Sequence, residues 1–262
     1  MNISRIKAIL LQELYITKRS LEVILDLFFF SIMTIVVFGF VSLFLTGNIT
    51  GASAHYLILG LILWEIIRIN QYSISVGALW NVWSRNLSNM FIAPISVREY
   101  LAAHMISGVV KTFTIFIIIS LVSSLFFKFN IFNLGPLNLF FFFVNLIIFS
   151  WTIGIALLGV IFRFGTRIQA LAWGSIFLFQ PLTASFFPVT VLPNFLQKIA
   201  FALPPTYVFE AARAALVDPT FNWKFMLIAL VLNAFYFLVS LWFFNYMFRR
   251  SKETGQFARL EG

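Results

Sequence analysis

An all-α membrane protein with six transmembrane helices, an N-terminal interfacial helix and re-entrant half-helices before the last span is the fold class that three observations predict. Of the 262 residues, 61% are hydrophobic and 10% charged, and the mean hydropathy is +0.97; a soluble domain carries about 25% charged residues. Six apolar runs approach or exceed the roughly 20 residues that a helix needs to cross the hydrocarbon. The basic residues flank those runs instead of forming one patch, which is the pattern of a topology signal. A single transmembrane domain over residues 1–262 is expected, with no separate soluble domain.

Residues 2–19 place Ile3, Ile6, Leu10 and Leu14 on one side of a helix, with Arg5, Lys7, Gln12, Lys18 and Arg19 around the rest. That pattern predicts a helix lying in the headgroup plane. The first span is expected over 21–45, with Glu22 and Asp26 in its first two turns, where carboxylates suit a helix N-terminus. It is too long for a signal-peptide core, so no cleavable signal is expected.

The second span, 55–80, is the least hydrophobic. Glu65 and Arg68 stand at i, i+3 and can pair on one face; Tyr72 and Ser75 extend that face, and Asn70 and Gln71 lie beside it. Ionisable residues at this depth face a partner helix or a wet cavity. Glu65, Arg68, Tyr72 and Ser75 are therefore candidates for lining a pathway, with a self-neutralising structural pair as the alternative.

Residues 81–101 are the longest polar interruption. Trp83, Leu87, Met90 and Phe91 form one apolar stripe of a short helix. Pro94 stops it, and Ser96-Val-Arg-Glu99 is a capping box that starts the next helix. The stripe fits either an interfacial helix resting on headgroups or a docking helix that takes force from a soluble partner.

The third span is expected over 104–127 and contains Lys111; an outer loop follows over 128–136. The fourth, 137–162, contains Asn145 and the small residues Ser150, Gly154 and Gly159. Ser150 and Gly154 are four apart, a spacing that lets helices approach closely. Arg163 and Arg167 bracket a tight turn, and the fifth span, 168–187, is kinked near its outer end by Pro181. Residues 188–224 carry five prolines (188, 193, 204, 205 and 219). They cut the segment into pieces, 193–203 and 206–217, too short to cross, so two half-helices entering the membrane and returning are expected. The last span is 225–248.

One set of span ends holds Arg5, Lys7, Lys18, Arg19, Arg85, Arg98, Arg163, Arg167, Arg249, Arg250, Lys252 and Arg259. The opposite set holds only Lys128, Lys198, Arg213 and Lys224. This asymmetry predicts both termini in the cytoplasm. Cysteine is absent and His55 and His104 are the only histidines, so neither a thiolate nor a histidine-cluster metal site is expected. No phosphate-cradling G-x-x-x-x-G-K-[ST] loop occurs, so ATP is not expected to bind this chain. The cations are spread around the spans, so nucleic acid is not an expected partner. Glu210-Ala211-Ala212 spells a tripeptide of ABC importer permeases, but Leu216 and Val217 stand near where that motif places glycine.

Taken in order, the layout resembles the ABC type-2 exporter permeases over essentially the whole chain. The resemblance rests on the amphipathic start, six spans with both ends inside, and WSRNLSNMFIAPISVREYL between spans two and three. LPPTYVFEAAR before the last span and the tail residues Arg249, Arg250, Glu253 and Gly255 complete it. Many drug-exporting members read R-G-T-x-E where this chain reads Ser84-Arg85-Asn86-Leu87-Ser88. The resemblance implies a transport subunit without enzymatic activity of its own. Such a subunit pairs with a second copy or a close paralogue, and it docks two ABC ATPase subunits that hold ATP and Mg. It further implies ATPase docking through Trp83, Arg85, Leu87, Met90, Phe91, Arg98 and Glu99. Pro193, Pro204, Pro205, Glu210 and Arg213 would form an outer gate. The implied cargo is lipid-linked, polysaccharide or drug-like. The rival reading is an ion- or proton-coupled carrier using Glu65 and Arg68, against which stands the lack of an internal repeat.

Overall fold

The computed structural model describes residues 1–48, 52–84, 86, 90 and 92–253. Among these every regular element is helical. Five segments are long and apolar enough to cross a membrane, and the chain is a multi-pass membrane protein. Helix α1 is Ile3–Arg19. Ser20 ends it and caps α2, which joins Leu21–Ile24, a wider π turn Leu25–Phe29, and Phe30–Asn48. Next come α3 (Ala52–Trp83), α4 (Val97–Phe127) and α5 (Pro136–Phe164). A 3-10 turn, Gly165–Ile168, leads to α6 (Gln169–Leu182). The last helices are α7 (Asn194–Ala202), α8 (Pro204–Ala215) and α9 (Trp223–Glu253).

Helix α3 is the axis. In its candidate span 89% of the most apolar stretch is buried, against 28% in α2 and 22% in α9. The least hydrophobic helix is the most enclosed because lipid offers no partner to Glu65, Asn70, Gln71 and Ser73, all buried here. Small residues bring its neighbours close. A Cβ on Gly154 of α5 would sit 3.0 Å from Ile74 Cβ, and one on Gly108 of α4 would sit 2.6 Å from Asn70 Oδ1. The small face of the fourth span is thus a packing seam, as its spacing predicts.

The direction of each helix follows from its contacts. Trp151 Nε1 donates to Asn70 Oδ1 at 3.0 Å and Gly154 meets Ile74, so α5 runs parallel to α3. Gln71 Nε2 donates to the Ala172 carbonyl at 3.0 Å and Gly60 abuts the Ser185 carbonyl, so α6 runs antiparallel. The rings of Phe149 and Phe179 lie 5.7 Å apart. The apolar stretch Pro136–Leu182 is therefore a hairpin that reverses at Gly165, whose φ is 65°. Helix α6 has 14 residues, about 21 Å at 1.5 Å per residue, and stops short of the expected 187. Thr183 Oγ1 bonds back to the Phe179 carbonyl at 2.8 Å, and Ala184 takes a left-handed φ of 51° that ends the helix.

The two expected half-helices are α7 and α8, with Pro204 and Pro205 in the first turn of α8, where a missing N–H costs nothing. Their junction packs against α5, α6 and α9. Tyr236, 13 residues into α9, donates to the Ala202 carbonyl at 3.0 Å. Leu203 shares an apolar pocket with Phe149 and Phe179. Beyond α8, Asn138 at the start of α5 bonds the Pro219 carbonyl at 2.9 Å.

One end of the bundle gathers α1, Ser96, the Gly165–Ile168 turn and the end of α9. Ser251 Oγ donates to the Phe162 carbonyl at 2.5 Å, and Met1, Arg98 and Phe248 border one depression. The 128–135 and 216–222 connections stand at the other end, with Lys128, Asn133 and Pro219 around a shared hollow. The richly basic span ends therefore coincide in space.

Candidate functional site

A cavity of about 300 Å³ opens between α2, α3 and α6, at the level of the expected pathway residues. Glu65, Arg68 and Tyr72 line it, joined by Asp26 and Thr34 from α2, Gln71 from α3 and Gln180 from α6. Its apolar walls include Phe30, Trp64, Trp173 and Phe177. Ser75, expected on the same face, is fully buried and accepts from Gln71 Nε2 at 2.6 Å instead of reaching the cavity. The i, i+4 spacing placed it on the right stripe, but Gln71 and the Ala172 backbone close over it.

Glu65 and Arg68 pair through both oxygens: Nε to Oε1 at 2.9 Å and Nη2 to Oε2 at 2.6 Å. This fork is the strong geometry for a guanidinium and a carboxylate. Ser31 of α2 completes it, accepting from Arg68 Nη2 at 2.7 Å and donating to Glu65 Oε2 at 2.6 Å. Arg68 Nη1 also reaches the Asp26 carbonyl at 3.4 Å. That carbonyl lies in the π turn, where widened backbone spacing leaves carbonyls free to accept from side chains. The Asp26 carboxylate accepts from Tyr72 Oη at 3.1 Å, and the Tyr72 ring stands edge-on to Trp173 at 5.4 Å.

A second charged cluster holds α1. Glu13 is 3% exposed; Lys111 Nζ of α4 lies 2.9 Å from its Oε2 and His104 Nδ1 3.8 Å from its Oε1. Nearby, Gln12 Nε2 donates to Asn81 Oδ1 at 3.0 Å. Burial acts to raise the Glu13 carboxyl, but His104 and Lys111 outweigh it and hold the group below the usual carboxylate range. The face of α1 that packs on the bundle is Ile9 and Glu13, while Ile3 and Leu14, expected on the apolar side, are exposed. Ile6, Leu10 and Ile16 also pack on the bundle, so the ion pair and these residues together fix which face of α1 meets it.

Trp83 ends α3 instead of opening a new helix, and its ring stands against Trp80 at 5.2 Å. Nothing between Val82 and Trp83 interrupts the helix; Ser84 Oγ bonds back to the Asn81 carbonyl at 3.3 Å just beyond it. Met90 is buried, and Arg85, Leu87, Phe91 and Gly255 lie outside the described residues. Arg98 is exposed at the basic end. Glu99 is 2% exposed, and the expected capping box forms: Ser96 N donates to Glu99 Oε2 at 2.9 Å and Glu99 N to Ser96 Oγ at 3.3 Å. Asn2 N also donates to Glu99 Oε1 at 2.6 Å, so this carboxylate faces the chain's own N-terminus.

Of the expected outer-gate residues, Pro193 precedes α7 and Pro204 and Pro205 are buried in α8. Glu210 and Arg213 pair at 2.7 Å. Glu210 Oε1 also accepts from Val189 N at 2.7 Å, and Arg213 Nη1 donates to the Ala184 carbonyl at 3.0 Å. The pair clasps the 184–189 connection onto α8.

Sequence reasoning did not single out Glu13, Ser31, Trp64 or Trp173. Ser31 sits between apolar residues of a plain span, and no local spacing ties it to Glu65. Compared with models of known protein families and with curated protein sequences, the chain matches none.

Proposed function

We propose that the chain is the permease subunit of an ABC type-2 exporter, working as a pair in a prokaryotic-type cytoplasmic membrane with both termini inside. In this reading α2, α3, α4, α5, α6 and α9 make six crossings, and α7 and α8 form the re-entrant outer gate. Two separate ATPase subunits dock at the basic end through the 81–101 segment, Trp83, Arg85, Leu87, Met90, Phe91 and Arg98 included. The observation that carries the reading is the cavity among α2, α3 and α6. It brings ionisable and amide groups to a cleft walled by three helices of one chain, and a second copy could complete it. The cargo would be amphipathic, to suit a cleft with both aromatic and polar walls.

The test is co-expression with an ATPase from a neighbouring reading frame, followed by co-purification and ATP-driven efflux from proteoliposomes. Replacing Leu87 and Phe91 together with Asp is expected to uncouple ATP hydrolysis from efflux while the permease still inserts. Efflux that follows a proton gradient with no ATPase present would instead establish the second reading, an ion- or proton-coupled carrier. The specific observation on that side is a cleft holding Asp26 and Glu65 against the single cation Arg68.

A further inference from the structure

The charges in the cavity do not balance. Two carboxylates and one guanidinium line it, with no lysine or histidine among the lining residues. Four of the five Arg68 N–H groups are engaged: Glu65 takes its Nε and Nη2, Ser31 shares Nη2, and Nη1 turns to the backbone carbonyl of Asp26 at 3.4 Å. The Asp26 side chain is left with the Tyr72 hydroxyl as its one hydrogen-bond partner among the described residues. Asp26 is half-buried in the second turn of the first span, with Arg68 on its backbone, so its carboxylate is tolerated there and still leaves the cavity one negative charge in excess. Tyr72 stands beside that carboxylate with Trp173 edge-on to the Tyr72 ring, and Phe30 and Phe177 line the same cavity. Aromatic faces attract cations electrostatically and bind apolar bodies by burial. The volume of about 300 Å³ suits one small organic molecule.

We propose that this cavity is a binding site for a monovalent organic cation, an ammonium or similar group on an apolar or aromatic body. Asp26 supplies the counter-charge and Tyr72 and Trp173 the aromatic wall. A bare metal ion is a poor fit, since both Glu65 oxygens are already taken by Arg68 and Ser31 and the aromatic walls cannot replace its hydration shell. Glu65 and Arg68 offset each other through their fork, so the lining carries one net negative charge, which Asp26 brings and which sets the sign of the ligand. The proposal deepens the exporter reading by naming the charge class of its cargo.

The experiment uses the full chain in lipid nanodiscs, with a fluorescent styrylpyridinium dye as the cationic probe and empty nanodiscs as the partition control. Benzyltrimethylammonium should displace the dye, whereas neopentylbenzene, its neutral isostere, should displace it at least tenfold less well. Asp26→Asn should weaken dye binding at least tenfold, and Trp173→Leu should weaken it severalfold. Equal displacement by cation and neutral isostere, or undiminished binding by a folded Asp26→Asn protein, would overturn the site. The isostere comparison on the unaltered protein decides the matter even where a variant fails to fold. Dependence on Asp26 without any ATPase association would keep the cation site and remove the exporter reading. Coupled ATPase activity with binding indifferent to Asp26 would do the reverse.

Discussion

Glu13 and Glu65 are carboxylates at 3% and 5% exposure, and each is met by a cation on a different schedule. Glu65 finds Arg68 one turn away on its own helix, whereas Glu13 reaches across to Lys111 on α4. Removing one member of a buried pair strands the other charge, at a cost of about 3–5 kcal/mol. Glu65→Gln or Arg68→Gln alone should therefore lower the thermal unfolding midpoint in detergent sharply, and the double change should recover part of the loss. If the double variant refolds but transports nothing, the pair serves transport; full recovery of both makes it structural. Glu13→Gln should loosen α1, seen as faster amide exchange over 3–19. The Glu13 carboxyl is held below its unfolded value, so its stabilisation is present above the ordinary carboxylate range and fades as pH falls through the folded value. Acidifying from pH 5 to pH 3 should thus destabilise the parent protein more than Glu13→Gln; equal slopes would show that Glu13 is not the group responsible.

The connection after α6 brings its backbone against that of α3. Gly60 of α3 abuts the Ser185 carbonyl, and a Cβ there would meet main chain, which cannot rotate away. Gly60→Ala is expected to displace the 184–189 connection and cost about 1–3 kcal/mol. The displacement should appear as lost protection of the Val189 amide, which donates to Glu210. An unchanged midpoint and unchanged protection would mean the two backbones are farther apart in solution. Helix α1 shows why hydropathy and packing diverge at this scale. Its apolar residues have two apolar surroundings to choose from, lipid and protein, and burial of Ile9 beside Glu13 is selected by the ion pair together with the packing of Ile6, Leu10 and Ile16.

At the scale of the whole molecule, the reversal at Gly165 folds the apolar stretch Pro136–Leu182 into a hairpin, which the proposed topology reads as two crossings. The native chain has no cysteine, so single cysteines report on sidedness without interference. Thr166→Cys and Arg249→Cys should react with an impermeant thiol reagent from the same side, and Asn133→Cys and Thr220→Cys from the other. Labelling of position 166 from the side of 133 would mean that α5 and α6 do not form a hairpin within the membrane.

The sequence by itself determined the membrane class, the capping box at Ser96 and the Glu65–Arg68 pair. Each is a short-range matter: spans follow from runs of apolar residues, caps from neighbouring backbone groups, and i, i+3 partners from helix geometry. Tertiary structure alone decided that α3 is the axis, that Ser75 lies beneath Gln71, and that Glu99 turns to the chain's own N-terminus. It also brought Asp26, Ser31 and Trp173 to the cavity of Glu65 and Arg68. The physical reason is that lipid and protein interior are both apolar. Hydropathy therefore says which residues leave water, and only close packing and the matching of distant polar groups say which of them meet.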